Sequence, residues 1–218
     1  MRATWCVYHT LLSLKPCKRN TRYYSSILRT PPPSTGQAPT PLVFVSAPTW
    51  DVSSHHDMSA VSSALTQKGY TCLDIGIYLP KGEILTDSPK TMQYFESELK
   101  DAIRSAEIAF PPVLIARYSA CLIAQSYISS HPASGLFMIS PPASNASVEN
   151  VVLPTHLKEF DFEPRFPIAI MATLKEVEKL SQHNRLAKHS AVDKIYVSRI
   201  DGQCLAVEIE KWLDELGM

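Results

Sequence analysis

Short apolar runs alternate with segments of helical spacing from residue 42 to the last residues of the chain. Six of these runs predict β-strands, at residues 42–46, 71–78, 112–116, 135–140, 167–172 and 194–198. The first, LVFVS at 42–46, is apolar along almost its whole length. Strands of this kind are buried on both faces of a sheet, as they are in parallel sheets that are covered by helices.

The segments between the strands place apolar residues on one side of a helix. Helices are predicted at 57–68, 92–105, 120–130, 175–188 and 205–216, and Gly69 is the predicted C-cap of the first. Strands that alternate with amphipathic helices build βαβ units. The sequence therefore predicts an α/β fold, with a doubly wound, mostly parallel sheet of about six strands and helices on both faces.

The start of the chain has a different composition from the rest. Residues 1–50 contain no Asp or Glu, whereas residues 1–40 carry six basic side chains. Residues 1–30 combine these bases with hydroxyl and apolar residues, as mitochondrial transit peptides do. The segment Arg22–Ser25 (RYYS) resembles a mitochondrial processing site that is cleaved ahead of Ser25. The alternative is a disordered basic tail without a targeting signal.

The predicted organisation is a transit peptide at 1–30, a proline-rich linker at 31–40 and one domain at 41–218, in a protein of the mitochondrial matrix. Residues 41–218 carry 15 basic and 21 acidic side chains. This acidic balance gives no electrostatic reason to expect binding to nucleic acid or anionic lipid. No run approaches the roughly 20 apolar residues that cross a bilayer.

The sequence offers no pattern for a cofactor or a metal. It has seven glycines and no Gly-x-Gly-x-x-Gly or Walker loop, so nucleotide cofactors are not expected. Cys72, Cys121 and Cys204 match no zinc spacing and are expected to be buried, reduced thiols.

The strand-to-helix junction LIARYSACLIAQ at 114–125, followed by GLFMISP at 135–141, resembles the α/β-hydrolase fold superfamily. The resemblance extends over about 41–218. In that family the nucleophile stands at the tip of a Gly-x-Ser-x-Gly turn, and small residues flank it because the turn is tight. Ala116 and Ala120 take the small positions, which places Tyr118 at the tip. A phenol on a rigid ring cannot replace a compact hydroxyl beside an imidazole base.

The oxyanion-binding loop that the resemblance implies is also altered. Family members carry a His-Gly pair after the first strand, and backbone amides of this loop help to bind the oxyanion. This chain has Ser46 and Ala47 at the oxyanion-loop position, followed by Pro48. Proline has no amide hydrogen, so one potential donor is lost.

The positions of the catalytic acid and base depart from the family pattern as well. Lys175 stands where the family has its acid. Glu176 is adjacent, but it fits the first turn of the following helix equally well. Gln203 stands where the family has its histidine, and an amide cannot take a proton.

The altered positions predict a noncatalytic α/β-hydrolase-like protein that acts as a binding or assembly subunit, within a mitochondrial protein complex. Active family members often carry a lid where this chain has residues 141–166, a short segment that predicts a minimal lid. A small-molecule ligand in the remaining cleft is a further expectation.

The alternative is a small serine hydrolase, acting on esters or thioesters, with a relocated triad. Ser119 is its first candidate nucleophile and Cys121 its second, with His55, His56 or His131 as the base. Outside catalysis, Ser119 fits a helix N-cap. Asp57 follows the two adjacent histidines of a loop, and it also fits a helix N-cap. The alternative requires an imidazole nitrogen within about 3 Å of the nucleophile.

Overall fold

The computed structural model describes residues 23–80 and 86–218. Their strands form one sheet in the order β1-β3-β2-β4-β5-β6-β7. The strand β1 runs antiparallel to β3, and every other neighbouring pair is parallel. The strands are β1 (Tyr24–Arg29), β2 (Leu42–Ser46), β3 (Cys72–Ile77), β4 (Val113–Arg117), β5 (Gly135–Ile139), β6 (Ile168–Thr173) and β7 (Val192–Val197).

Helices cover both faces of this sheet. They are α1 (Met58–Gln67), α2 (Ser88–Ser105), α3 (Ala120–Ile128), α4 (Leu174–His183) and α5 (Gly202–Glu215). Within β2, Val43 and Val45 pack in the core that includes residues of α2, α3 and α4, whereas Leu42 and Phe44 pack against α1 and α5. The predicted α/β class is confirmed, and the six predicted strands correspond to β2–β7.

The sheet begins earlier than the predicted domain boundary at residue 41. Residues 24–29, which the composition assigned to the leader, form the edge strand β1 and pair with β3 from Tyr24↔Ile77 to Arg29↔Cys72. Because β1 has one neighbour and is largely exposed, it lacks the apolar run that marks a buried strand. The predicted linker also lies against the domain, since the amide of Ala38 donates to the Gly69 carbonyl at 2.9 Å. The transit peptide stays a prediction, and residues 1–22 lie outside the described residues.

The strand order fixes where a site can form. From β2 the chain crosses to β3 on one side, whereas β4 pairs with β2 on the other side. In open α/β sheets, ligands bind beyond the carboxyl ends of the strands at such a reversal. The loops that follow β2 and β4 meet there. The segment between β5 and β6 also lies at this edge of the sheet and holds a short 3-10 turn (Asn145–Val148).

The C-cap of α1 is Lys68 rather than the predicted Gly69. Gly69 is the next residue and has the left-handed backbone that commonly ends a helix. Its φ is +110°, and its amide donates to the Thr66 carbonyl at 3.1 Å. A Cβ at this position would stand 2.2 Å from the carbonyl oxygen of Gly36. The residue therefore closes α1 and also lets residues 31–40 approach the domain.

We expect Gly69→Ala to lower the free energy of unfolding by about 2 kcal/mol or more, because the left-handed conformation and the close carbonyl both oppose a side chain. Urea denaturation of the full chain measures the change. Gly36→Ala is the matched control, since a Cβ there meets nothing within 4 Å. Equal stability of the two variants would contradict the predicted role of Gly69.

Candidate functional site

The turn between β4 and α3 has the tight geometry expected of a nucleophile position, with a tyrosine at its tip. Tyr118 has a φ of +50°, and α3 begins two residues later at Ala120. Left-handed backbone costs roughly 1–2 kcal/mol for a residue with a side chain. The flanking Ala116 and Ala120 are fully buried, which agrees with the need for small residues on either side of the tip.

The phenol at the tip is held by a buried arginine. Arg117 is 6% exposed, and its guanidinium carbon lies 4.9 Å from the centroid of the Tyr118 ring. One terminal nitrogen donates to the Tyr118 hydroxyl at 3.3 Å. The other donates to the His56 carbonyl at 3.0 Å and to the Asp57 carboxylate at 3.4 Å. The contact with Arg117 accounts for the orientation of the Asp57 carboxylate. Asp57 occupies the N-cap position of α1 but makes no capping hydrogen bond.

The backbone amide that follows the tip is already hydrogen-bonded. The amide of Ser119 donates to Oδ2 of Asp51 at 3.0 Å, and the amide of Ser53 donates to Oδ1 of the same carboxylate at 3.0 Å. In α/β-hydrolases the amide after the nucleophile is one of the two oxyanion-binding donors. In this chain a carboxylate takes the place of the oxyanion.

The predicted second donor is occupied too. The amide of Ala47 donates at 2.9 Å to Oγ of Ser54, a fully buried residue that in turn donates to the Asp51 carbonyl at 2.6 Å. The Ser46 hydroxyl points to β3 and donates to the Ile75 carbonyl at 3.1 Å. Both candidate oxyanion donors are therefore satisfied by oxygens of the loop after β2.

Glu176, next to the acid position Lys175, caps a helix. Oε2 of Glu176 accepts hydrogen bonds from the amide and the hydroxyl of Thr173 at 2.8 and 2.7 Å, and from the Ser140 hydroxyl at 3.1 Å. The contact with the Thr173 amide is part of a capping box at the start of α4. Lys175 is exposed beside it.

Asp201, two residues before the base position Gln203, caps a helix as well. The carboxylate of Asp201 accepts from the amide of Cys204 at 2.9 Å. This hydrogen bond lowers the pKa of Asp201, and the side chain of Arg199 lowers it further. Gln203 is exposed in the first turn of α5. Neither the acid position nor the base position presents a group that could relay a proton to the tip.

The histidines named for a relocated triad do not meet the candidate nucleophiles. His55 and His56 are exposed at the end of a short 3-10 turn (Val52–His55) that precedes α1. His131 stacks on Tyr127 beyond the far end of α3, a nine-residue helix that is about 13 Å long. Across residues 23–80 and 86–218, no hydrogen bond joins a histidine to Ser119 or Cys121.

The two candidate nucleophiles have structural surroundings. Ser119 occupies the N-cap position of α3, although its hydroxyl makes no capping hydrogen bond. Cys121 is completely buried, and its thiol donates to the Ala116 carbonyl at 3.3 Å. Burial raises the pKa of this thiol strongly, so the thiolate needed for nucleophilic attack is not available near neutral pH.

A cleft remains above the tip. Its volume is about 440 Å³, which lies within the usual range for small-molecule sites. Asp51, Ser53, Ser119 and Ser140 contribute polar groups to it, whereas most of the wall is apolar. The apolar and aromatic lining residues are Trp50, Val52, Tyr118, Pro142, Val148, Val151 and Val152.

Sequence reasoning missed Asp51, the residue that most alters the chemistry of the cleft. One feature of the sequence could have indicated it: Asp51 is an acidic residue on the loop that follows β2, the strand at which the strand order reverses.

For metals, the described part of the chain holds no group of three His, Cys, Asp or Glu side chains that could bind an ion. Within the same ranges, no helix is both long enough and apolar enough to cross a membrane.

Comparison with solved structures assigns the fold. An α/β serine hydrolase without a lid from Xanthomonas campestris superposes with a TM-score of 0.64 at 11% identity, over 88% of this chain and 89% of that one. The esterase domain of a Rhodothermus marinus protein gives 0.55 at 16% identity, over 86% and 98%. Est1E from Butyrivibrio proteoclasticus gives 0.59 at 11% identity, over 88% and 93%.

The chain has the α/β-hydrolase fold, and the resemblance found in the sequence is confirmed at the level of the fold. A scan against protein-family models finds no match, and neither does a search of the curated proteins. The structural neighbours are hydrolases and esterases, so by themselves they fit the alternative of a serine hydrolase better than a noncatalytic role. At 8–16% identity they define the fold alone.

Proposed function

We propose that the domain is a noncatalytic protein of the α/β-hydrolase fold that acts by binding. The observation that carries this proposal is the hydrogen bond from the Ser119 amide to the Asp51 carboxylate. In an acyl-transfer enzyme with its nucleophile at the tip of the turn, this amide must be free to stabilise the negative oxygen of the tetrahedral intermediate. In this chain the donor is engaged, and a negative charge stands where another negative charge would have to form.

The magnitudes favour an inert site. Loss of one oxyanion-hole donor reduces kcat by about 10²–10³. Two negative charges about 4 Å apart repel each other by about 4 kcal/mol at an effective dielectric constant of 20. Both effects oppose acyl transfer at the tip, even if a nucleophile and a base were supplied.

The second candidate function is the serine hydrolase with Ser119 as nucleophile. Its support is the set of esterase neighbours together with the position of Ser119 on the wall of the cleft. It lacks a base, because no described histidine bonds to Ser119, and the Ala47 amide of the oxyanion-binding loop is already bonded to Ser54. The geometry therefore favours the noncatalytic proposal.

We expect the purified full chain to hydrolyse p-nitrophenyl acetate no faster than the buffer does, and to resist labelling by a fluorophosphonate probe. Both assays should give the same result for Ser119→Ala, with an active esterase as the positive control. Labelling of a peptide that contains Ser119, or turnover that Ser119→Ala abolishes, would contradict the noncatalytic proposal. Turnover that survives this substitution would contradict it equally and point to another nucleophile.

The cellular setting that we propose is the mitochondrial matrix, where the protein would act as a subunit or accessory factor of a larger assembly. The support is the acid-free, basic composition of the first residues. Cleavage ahead of Ser25 would cut between the first two residues of β1 and leave five of its six paired positions, from Ser25 to Arg29. Arg29 is also bonded to Asp74 at 2.8 Å.

Import into isolated mitochondria tests this setting. We expect the full chain to become protease-protected, with Ser25 as its new first residue by N-terminal sequencing. Replacing the five leader bases with Gln should abolish import, while Arg29 is kept because it pairs with Asp74. The matched control replaces five exposed lysines of the domain (Lys100, Lys158, Lys175, Lys179 and Lys188). Import of both variants, or of neither, would contradict a targeting signal in the leader. The five replaced leader bases are Arg2, Lys15, Lys18, Arg19 and Arg22.

A further inference from the structure

The cleft above Tyr118 combines an apolar wall with a carboxylate that has no cationic partner. Asp51 forms no ion pair with any Lys, Arg or His of the described residues. Its two oxygens accept one backbone amide each. A carboxylate has about four acceptor positions, so about half of its hydrogen-bonding capacity remains available at the edge of the cleft.

The neighbouring charges leave the cleft negative. Arg117 is the cation closest in sequence to the tip, but it is buried and bonded to Asp57, a contact that offsets its charge. Ser140 lines the cleft and donates to the carboxylate of Glu176, which brings a second negative group next to the cavity. Lys175 is exposed and is not one of the residues that line the cleft.

The apolar part of the cleft is fixed on one side and open on the other. The indole nitrogen of Trp50 donates to the Val152 carbonyl at 2.7 Å, which ties the loop after β2 to the segment after β5. The Trp50 ring also packs on Phe95, with centroids 4.9 Å apart. Val151 is 82% exposed at the rim, and a ligand that covered it would remove apolar surface from water.

We infer that this cleft binds a small ligand with an ammonium head and an apolar body. The ammonium donates to the free positions of the Asp51 carboxylate and to the Ser119 hydroxyl, and the body lies against Val148, Val151 and Val152. This inference rests on the proposed noncatalytic function, because an esterase would have to stabilise a negative oxygen in this cleft. The charge preference of the site is thus opposite to that of an oxyanion hole.

Three ligands with the same ring and different charges test the inference on the unmodified full chain. Benzylamine, benzyl alcohol and benzoate are titrated at pH 7.5, by calorimetry and by following amide NMR signals of the cleft. We expect benzylamine to bind about tenfold or more tightly than benzyl alcohol, because a charge-assisted hydrogen bond replaces a neutral one. Benzoate should bind most weakly. Binding of benzoate as tight as that of benzylamine, or no binding by any of the three, would overturn the inference.

A pair of variants assigns the charge preference to Asp51. Asp51→Asn keeps the shape of the side chain and one acceptor oxygen, and we expect benzylamine to lose its advantage over benzyl alcohol. Glu178→Gln removes the same unit charge from an exposed position of α4 and should leave that advantage unchanged. A preference for benzylamine that survives Asp51→Asn would overturn the inference.

If Asp51→Asn does not fold, as judged by its thermal melt, the three-ligand comparison on the unmodified chain still decides. The esterase assay separates the two proposals. Turnover at Ser119 would remove the proposed function, whereas an inert chain that prefers benzoate would remove only the ammonium site.

Discussion

The hydrogen bond between the Asp51 carboxylate and the Ser119 amide determines what the cleft can do. It joins the loop after β2 to the turn after β4, the two strands between which the order of the sheet reverses. That edge is the place where an α/β sheet offers backbone donors to a ligand. In this chain the donor is used within the protein, so the fold keeps the geometry of an active site while its central donor is already engaged.

The other differences from an enzyme of this fold agree with that contact. Tyr118 takes the strained tip and rests on Arg117. Glu176 caps α4 next to the acid position Lys175, and Asp201 caps α5 two residues before the base position Gln203. In each case the side chain at or next to a catalytic position of the family makes a structural contact. The local physical reason is that the first amides of a helix need an acceptor whether or not the loop carries chemistry.

The sequence predicted the central strands well because they are buried on both faces, and their apolar runs are continuous. It missed β1, an edge strand whose side chains are mostly exposed and therefore mixed in polarity. Tyr118 was placed at the tip from Ala116 and Ala120, since only small residues fit beside a tight turn. Asp51 could not be predicted in the same way, because its partner is a backbone amide 68 residues away, and a backbone contact leaves no signature in residue types.

The state of the Ser119 amide tests the central claim most directly. Its proton and nitrogen NMR signals can be followed against pH, together with the side-chain carboxyl carbon of Asp51. The structure predicts that the Ser119 amide is protected from exchange with solvent and that its shift follows the protonation of Asp51. A Ser119 amide that exchanges freely and does not respond to Asp51 would show that the donor is open, which would contradict the account of an occupied oxyanion site.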